Sequence, residues 1–352
     1  MSLMAILTSG GDAPGMNAAI VAVTKTAVAN GWRVIGFEDG YDGLIDGRVI
    51  DLTPSVVDDL TREGGTFLRS ARSARFRTSE GRAQAARNLA GVTTLVVIGG
   101  NGSLTGAKIL SEEHGIQVIG LPASIDNDLA CTSLSIGVDT ALNTICEACD
   151  RISDTARSHR RAFIVEVMGR ECGYLAIASA IACSADAVLF KEQGKSEDQL
   201  VTELRQVIRH SYSASRNKKR VLIIKAEGVE VSTHSLAQRL EQTMKEDSGG
   251  ATLRYTVLGH VVRGGRPSSL DRIMASRLGY AAVHAAIEGK TRVMLGWRPD
   301  DDGGTPSLVD PRVELFDLDH VITQTQKLLE GSHNMTQARM KMIQQVQGVL
   351  PL

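Results

Sequence analysis

Aromatic residues are scarce here, 4% of 352, and proline supplies only 8. With 43% hydrophobic and 22% charged residues, the chain is neither collagen-like nor disordered; its composition is that of a soluble α/β protein. Net charge is nearly absent: 39 Lys+Arg against 40 Asp+Glu leave −1. No overall field draws in nucleic acid or an anionic membrane, although a local basic cluster for phosphate ligands stays open. No apolar run approaches the roughly 20 residues that span a bilayer. Gly10-Gly11 interrupts the N-terminal apolar stretch too early for a secretory signal. Cysteine is also sparse, and an odd five in a long chain without a signal points to a reducing cytoplasm. Cys146 and Cys149 form a CxxC, but within ALNTICEACDRI it reads as helix interior. No second pair sits at zinc spacing, so two buried thiols one helical turn apart is the favoured reading. Neither the GxxxxGK[ST] phosphate loop nor the dinucleotide GxGxxG occurs.

What is present is alternation. The length suggests about two domains. Met4–Thr8 reads as a strand running into Ser9-Gly10-Gly11-Asp12-Ala13-Pro14-Gly15 and an Ala/Val-rich helix from about Met16. Arg33–Phe37, Thr94–Ile98, Gln117–Leu121, Ala162–Val167, Ala187–Phe190 and Val221–Ile224 read as further strands. Short continuous apolar runs suit parallel strands covered on both faces. The pattern predicts α/β architecture: two three-layer α/β/α sandwich domains with largely parallel sheets. From about Leu318 the tail reads as amphipathic helix packing on the body, with no evident chemistry.

The Gly-rich turns sit at predicted carboxyl ends of strands, where such folds bind ligands. Gly10-Gly11 and Gly99-Gly100-Asn101-Gly102-Ser103 can bring backbone N–H groups against phosphate oxygens, and a following helix adds its positive end. One such turn is weak evidence, since turn geometry alone asks for glycine; two favour phosphate. In Ser124-Ile125-Asp126-Asn127-Asp128, two carboxylates two residues apart can divide proton acceptance from Mg²⁺ binding. Asp-Asn-Asp is equally a good turn former. Arg72, Arg161, Arg170, Arg254, His260 and Arg263 each read alone as surface or structural residues, but together they suit a site crowded with phosphoryl oxygens.

Taken in order, SGGDAPGMNAAI (Ser9–Ile20), GGTFLRSAR (Gly64–Arg72), GGNGS (Gly99–Ser103), SIDND (Ser124–Asp128), IGVDTALNT (Ile136–Thr144), VEVMGRECGY (Val165–Tyr174), AEG (Ala226–Gly228) and LGHVVRGGRPSSLDR (Leu258–Arg272) resemble the phosphofructokinase family. The resemblance covers roughly residues 4 to 320, leaving only the C-terminal extension outside it. It implies phosphoryl transfer to the 1-hydroxyl of fructose 6-phosphate. Asp126 matches the general base, Asp128 a Mg²⁺-associated carboxylate, and Ser124 a hydroxyl that is usually Thr. Gly11 would offer its N–H to the transferred group, and Arg72 and Arg170 would offset its charge. Ser73, Gly100, Asn101, Gly102 and Ser103 fall at nucleotide positions, with Asn101 and Asp128 at the metal. Arg161, Arg254, His260 and Arg263 match the clamp on the sugar 6-phosphate, and Met168, Gly169 and Glu227 match sugar contacts. The expected domains are 4–138 with about 252–305 for the nucleotide, and 139–251 with about 306–352 for the sugar phosphate. Some clamp arginines reach in from a neighbouring subunit in the family. A homotetramer with shared sites is therefore implied, with neither nucleic acid nor membrane as partner.

Donor choice follows from two positions. The family's ATP users keep Gly after the metal-site acidic residue, where pyrophosphate users place Asp; this chain has Gly102. Pyrophosphate users usually carry Lys where it has Ala123. Both favour ATP. Three departures stand out. Asn101 replaces the usual Asp, which keeps a pyrophosphate enzyme or a silent sugar-phosphate-binding subunit as alternatives. Arg69 replaces a Gly near the nucleotide and would either contact phosphate or point to solvent. Val21, Pro54 and Ser153 replace effector-site arginines, while Lys25 and Lys218-Lys219-Arg220 remain basic. Weak or altered response to ADP and phosphoenolpyruvate is expected. A dinucleotide kinase also uses a Gly-Gly-Asp turn but has no need of the Arg254/His260/Arg263 clamp.

Overall fold

The computed structural model describes residues 2–244, 252–297, 305–306 and 312–347. Among these the strands are, in chain order, β1 (Leu3–Ser9), β2 (Arg33–Phe37), β3 (Val49–Asp51), β4 (Thr94–Gly99), β5 (Val118–Pro122), β6 (Arg161–Val167), β7 (Ala187–Leu189), β8 (Val221–Ala226), β9 (Thr252–Val257), β10 (Val293–Trp297), β11 (Thr305–Pro306) and β12 (Val313–Asp317). The chain divides into two units. One holds Met1–Thr140 and Arg263–Glu330, the other Ala141–Val262 and Gly331–Leu352.

The first unit contains an eight-stranded sheet in the order β11-β12-β10-β5-β4-β1-β2-β3. Its centre, from β10 to β2, is parallel, and β3, β12 and β11 add antiparallel edges. β4 is buried at every position, as its unbroken TLVVI run requires of a strand covered on both faces. The helix Met16–Ala29 buries nine residues, mostly Ala, Val and Ile, because small side chains let it lie close to the helix Ser269–Ile287. The second unit has a four-stranded, wholly parallel sheet in the order β7-β8-β6-β9. Ala162, Ile164, Val221 and Ile223 pack there against Leu200, Leu204 and Ile208 of the helix Glu197–Tyr212 and Leu236 and Leu240 of the helix Thr233–Met244.

The sequence reading lacked β3 and β9 to β12; β3, β9 and β11 are edge strands, whereas β10, an apolar run of Val293–Trp297 inside the sheet, was passed over. This moves two segments relative to the expected domains. Residues 252–262 fall in the second unit, because β9 pairs with β6 along its whole length. β12 and the helix Leu318–Leu329 fall in the first, because β12 pairs with β10. Residues 245–251, 298–304, 307–311 and 348–352, which the expected boundaries also touch, lie outside the described residues. No helix among the described residues is long and apolar enough to cross a membrane.

Candidate active site

In the first unit three parallel strands end side by side. Ser9 of β1 is level with Gly99 of β4, and Gly99 with Pro122 of β5. The turns after them therefore leave the sheet at one carboxyl edge and bring together Gly11, Gly100, Asn101, Gly102, Ser103 and Ser124. The helix Asn101–His114 starts directly after Gly100, with no side chain capping its first N–H groups. Such an end is available to an anion. Ser103 is buried beneath the first turn, its Oγ 3.3 Å from where a Cβ on Gly10 would stand. Gly102 is exposed, and a Cβ there would meet nothing within 4 Å.

The Ser124–Asp128 loop merges both readings of its sequence. Asn127 is the turn former: fully buried, at φ 49°, with its side chain donating to the Ser133 carbonyl at 3.1 Å and accepting from the Ser135 N–H at 3.0 Å. Asp126 and Asp128 flank this anchor. The Ser124 hydroxyl donates to Asp128 Oδ1 at 2.7 Å, so that carboxylate is oriented before any ligand arrives. Asn101 Oδ1 is buried without a hydrogen-bond partner. An amide oxygen in that condition, with one carboxylate nearby in the same rank of turns, suits a hard cation that takes its other ligands from phosphates and water. Among the described residues no group of three or more His, Cys, Asp or Glu forms a cage of its own.

Arg72 is exposed on a loop tied down on both sides. The Asn17 side chain holds Glu63, Gly64 and Phe67, Thr8 donates to the Arg69 carbonyl at 2.7 Å, and Ser70 donates to the Gly10 carbonyl at 2.7 Å. Ser73, expected at the nucleotide, instead donates to the Asp42 carboxylate and accepts from the Phe76 N–H. Of its two expected orientations Arg69 takes the exposed one, tethered to a carboxylate. It stands at φ 59°, where glycine is favoured, and forks onto Asp39 at 2.9 and 3.0 Å. Arg263, expected in the sugar-phosphate clamp, donates to the Asp12 carbonyl at 3.2 Å. Its guanidinium covers Gly11 so closely that a Cβ there would lie 2.5 Å from Nη1.

The second unit gathers its own cluster at the carboxyl ends of β6, β8 and β9. Val167 is level with Ala226, and Glu166 with Val257. Met168, Gly169 and Arg170 follow β6, Glu227 follows β8, and His260 follows β9. The two turns touch: a Cβ on Gly228 would stand 2.0 Å from the Arg170 carbonyl oxygen. Arg161 and Arg254 are placed elsewhere. Arg161 opens β6, six residues before its end, or about 20 Å at strand rise. Arg254 lies opposite Phe163 and pairs with Glu241 at 3.4 Å.

The two most deeply buried charged residues, at 1% exposure or less, escaped the sequence reading. Asp271, fully buried, accepts from the Gly137 N–H at 2.9 Å and from the Thr140 N–H at 2.8 Å, and also from the Thr140 hydroxyl. Burial raises its pKa, against the opposing pull of these bonds. Lys225, 1% exposed, pairs at 3.0 Å with Glu166, which also takes the Thr233 hydroxyl. Asp271 stood inside a quoted motif and Lys225 beside an apolar run, but nothing local marks either as buried. Of the CxxC, Cys149 is buried but Cys146 only partly so, and the neighbouring Cys183 thiol together with burial pushes the Cys146 pKa up.

Glycine-rich turns at adjacent parallel strand ends beside a paired-carboxylate loop define an α/β protein with its candidate site at the carboxyl edge of the sheet. The phosphofructokinase family model matches residues 3–286, and the chain belongs to that family. It is 46% identical over 297 residues to an ATP-dependent 6-phosphofructokinase of Thermotoga neapolitana, covering 84% of this chain and 89% of that one. Against the ATP-dependent 6-phosphofructokinase of Thermoanaerobacter sp. it is 44% identical over 308 residues, covering 86% and 92%. The solved phosphofructokinase of Saccharomyces cerevisiae superposes with a TM-score of 0.85 at 33% identity over 96% of this chain. The chain spans about half, 48%, of that yeast chain.

Proposed function

We propose that this chain is an ATP-dependent 6-phosphofructokinase, forming fructose 1,6-bisphosphate from fructose 6-phosphate as a glycolytic step. The observation that carries this is the Ser124–Asp128 loop, its two carboxylates flanking a buried Asn127, in register with two phosphate-type turns. The relatives' shared name agrees.

In this reading Asp126 accepts the proton of the 1-hydroxyl as the oxygen attacks the terminal phosphoryl group of ATP. The Gly11 N–H and the Ser124 hydroxyl direct that group, and Arg72 and Arg170 offset its charge. Gly100, Gly102 and Ser103 line the nucleotide phosphates, with Ser73 acting by shaping the Arg72 loop. Asn101 and Asp128 would hold Mg²⁺, which would supply charge neutralisation on the phosphates. Met168, Gly169, Arg170, Glu227 and His260 contact the sugar phosphate. Arg263, lying on the Gly11 turn, is carried as a clamp residue by resemblance. The ATP preference rests on open Gly102 and on Ala123, buried where a lysine would be needed to grip pyrophosphate.

Arg161 lies six residues before the end of β6 and Arg254 three before the end of β9, back along the strands from His260, which supports their serving a neighbouring subunit in a homotetramer. β9 is a sheet edge exposing Arg254, Tyr255 and Val257, as an assembly surface would. Lys25 is already paired with Asp58 at 2.6 Å, and Lys218 with Asp186 at 2.7 Å, which supports a weakened effector response. A cytoplasmic location accords with these substrates.

The test is formation of fructose 1,6-bisphosphate with Mg²⁺, run in parallel with ATP and with pyrophosphate. Turnover with ATP alone is expected. Turnover with pyrophosphate alone would overturn the donor assignment, and silence with both would move the chain to a sugar-phosphate-binding subunit.

A further inference from the structure

The turn that presents Arg170 is braced by the far end of the chain. It runs from the end of β6 to Tyr174, where the helix Tyr174–Ala182 begins. One flank is fixed by Glu171 paired with Lys191 and by the Gly173 N–H donating to Glu192 at 2.8 Å. On the other flank Arg339 Nη1 donates to Cys172 Sγ at 3.0 Å, and the guanidinium lies over the Tyr174 ring, 4.6 Å from its centroid. Arg339 is 9% exposed and Cys172 1%. Arg339 belongs to the helix Asn334–Gln347, beyond residue 286 where the family match ends, in the tail that carries no chemistry by sequence.

A buried guanidinium gains little over an apolar side chain of similar volume, so stability is a poor reason for it. What it adds is direction. A planar fork on a thiol and a flat stack on a ring fix two side chains at once. Those two belong to residues two and four positions past Arg170. Nearby, Gly169 stands at φ 119° and the Arg170 carbonyl abuts Gly228. Only Glu171, itself paired with Lys191, lies between Cys172 and Arg170, so a shift of Cys172 is passed on to Arg170.

We propose that Arg339 is a positioning residue for Arg170: the C-terminal helix braces the turn and thereby sets affinity for the sugar phosphate. This rests on the functional reading above, and the wild-type assay separates the two. A wild-type chain that forms no fructose 1,6-bisphosphate removes that reading; an active one tests Arg339 alone.

The experiment is steady-state kinetics of R339M and R339K, with each substrate varied in turn, in the wild-type and R170A backgrounds. R339M is expected to raise KM for fructose 6-phosphate about tenfold and leave KM for ATP within about twofold. R339K keeps the charge but neither the planar fork nor the flat stack, so it should recover only a minor part of the loss. In R170A, R339M should change kcat/KM by less than about twofold, since a residue acting through Arg170 has nothing left to position. A residue that only stabilises the fold would lower the melting temperature and the active fraction, leave both KM values unchanged, and add fully to R170A. Full additivity, or an unchanged KM for fructose 6-phosphate in folded R339M, overturns the proposal. If R339M does not fold, C172A carries the same comparison by deleting only the acceptor. A rise of about threefold in that KM, absent in R170A, supports the proposal, and no rise overturns it.

Discussion

The two clusters are built from different materials. In the first unit the site is mostly backbone, three turns leaving adjacent parallel strands in fixed register, with side chains already oriented by local bonds such as Ser124 to Asp128 and Arg263 to the Asp12 carbonyl. In the second unit it is mostly side chains, with Arg170 and His260 exposed, and two of its expected arginines stand back along the strands, Arg161 at the start of β6 and Arg254 three residues before the end of β9. A backbone site is complete wherever its sheet forms. A site of long cations is completed by whatever they can reach, including another copy of the chain.

The sharpest way to break this comparison is at its chemical centre. D126S is expected to lose about 10²–10⁴ in turnover, the scale of a removed general base, with little change in substrate binding; single-turnover kinetics and a binding titration measure the two separately. Next, R161A and R254A should each raise KM for fructose 6-phosphate about 10- to 100-fold, as loss of a charge-assisted phosphate contact does. If the arginines serve a neighbour, mixing R161A with inactive D126S during reassembly should regain activity that neither has alone. No regain in mixed tetramers would make each second-unit cluster complete in itself.

Smaller effects test the first unit's self-sufficiency. D271N should cost about 2–3 kcal/mol, because an amide N–H₂ then faces donors that the carboxylate accepted; a urea titration at neutral pH reads this. G102D places its side chain in open space, so the melting temperature should hold while KM for ATP rises about tenfold by repulsion of phosphate. A parallel fall in stability would mean the turn is strained rather than electrostatically tuned. Mildest of all, N101D should lower the Mg²⁺ concentration for half-maximal activity a few-fold, since a charge replaces an amide dipole. Chelation of Mg²⁺ should abolish turnover in both forms.

Much of this was legible in the sequence, and for identifiable reasons. Thr94–Ile98 and Val221–Ile224 are read correctly because a strand covered on both faces must be apolar throughout. The turns after them are read because close backbone approach restricts them to small residues. Ser73 and Arg69 were not legible. Ser73 is consumed by Asp42, and Arg69 is held at φ 59° by a fork onto Asp39, partners about 30 residues away that no local pattern announces. Edge strands such as β9 escaped for a related reason: their residues alternate irregularly because only part of one face is covered.

By itself, then, the sequence determined the α/β class, the central strands, the phosphate-type turns and the paired carboxylates. Each of these is dictated by local geometry and by which residues can be buried. Only the tertiary structure decided that Arg263 lies on the Gly11 turn, that β9 closes the second sheet, that Asp271 and Lys225 are buried with their partners, and that Arg339 reaches Cys172. Those are contacts between residues far apart in the chain, and packing, not local preference, chooses their partners.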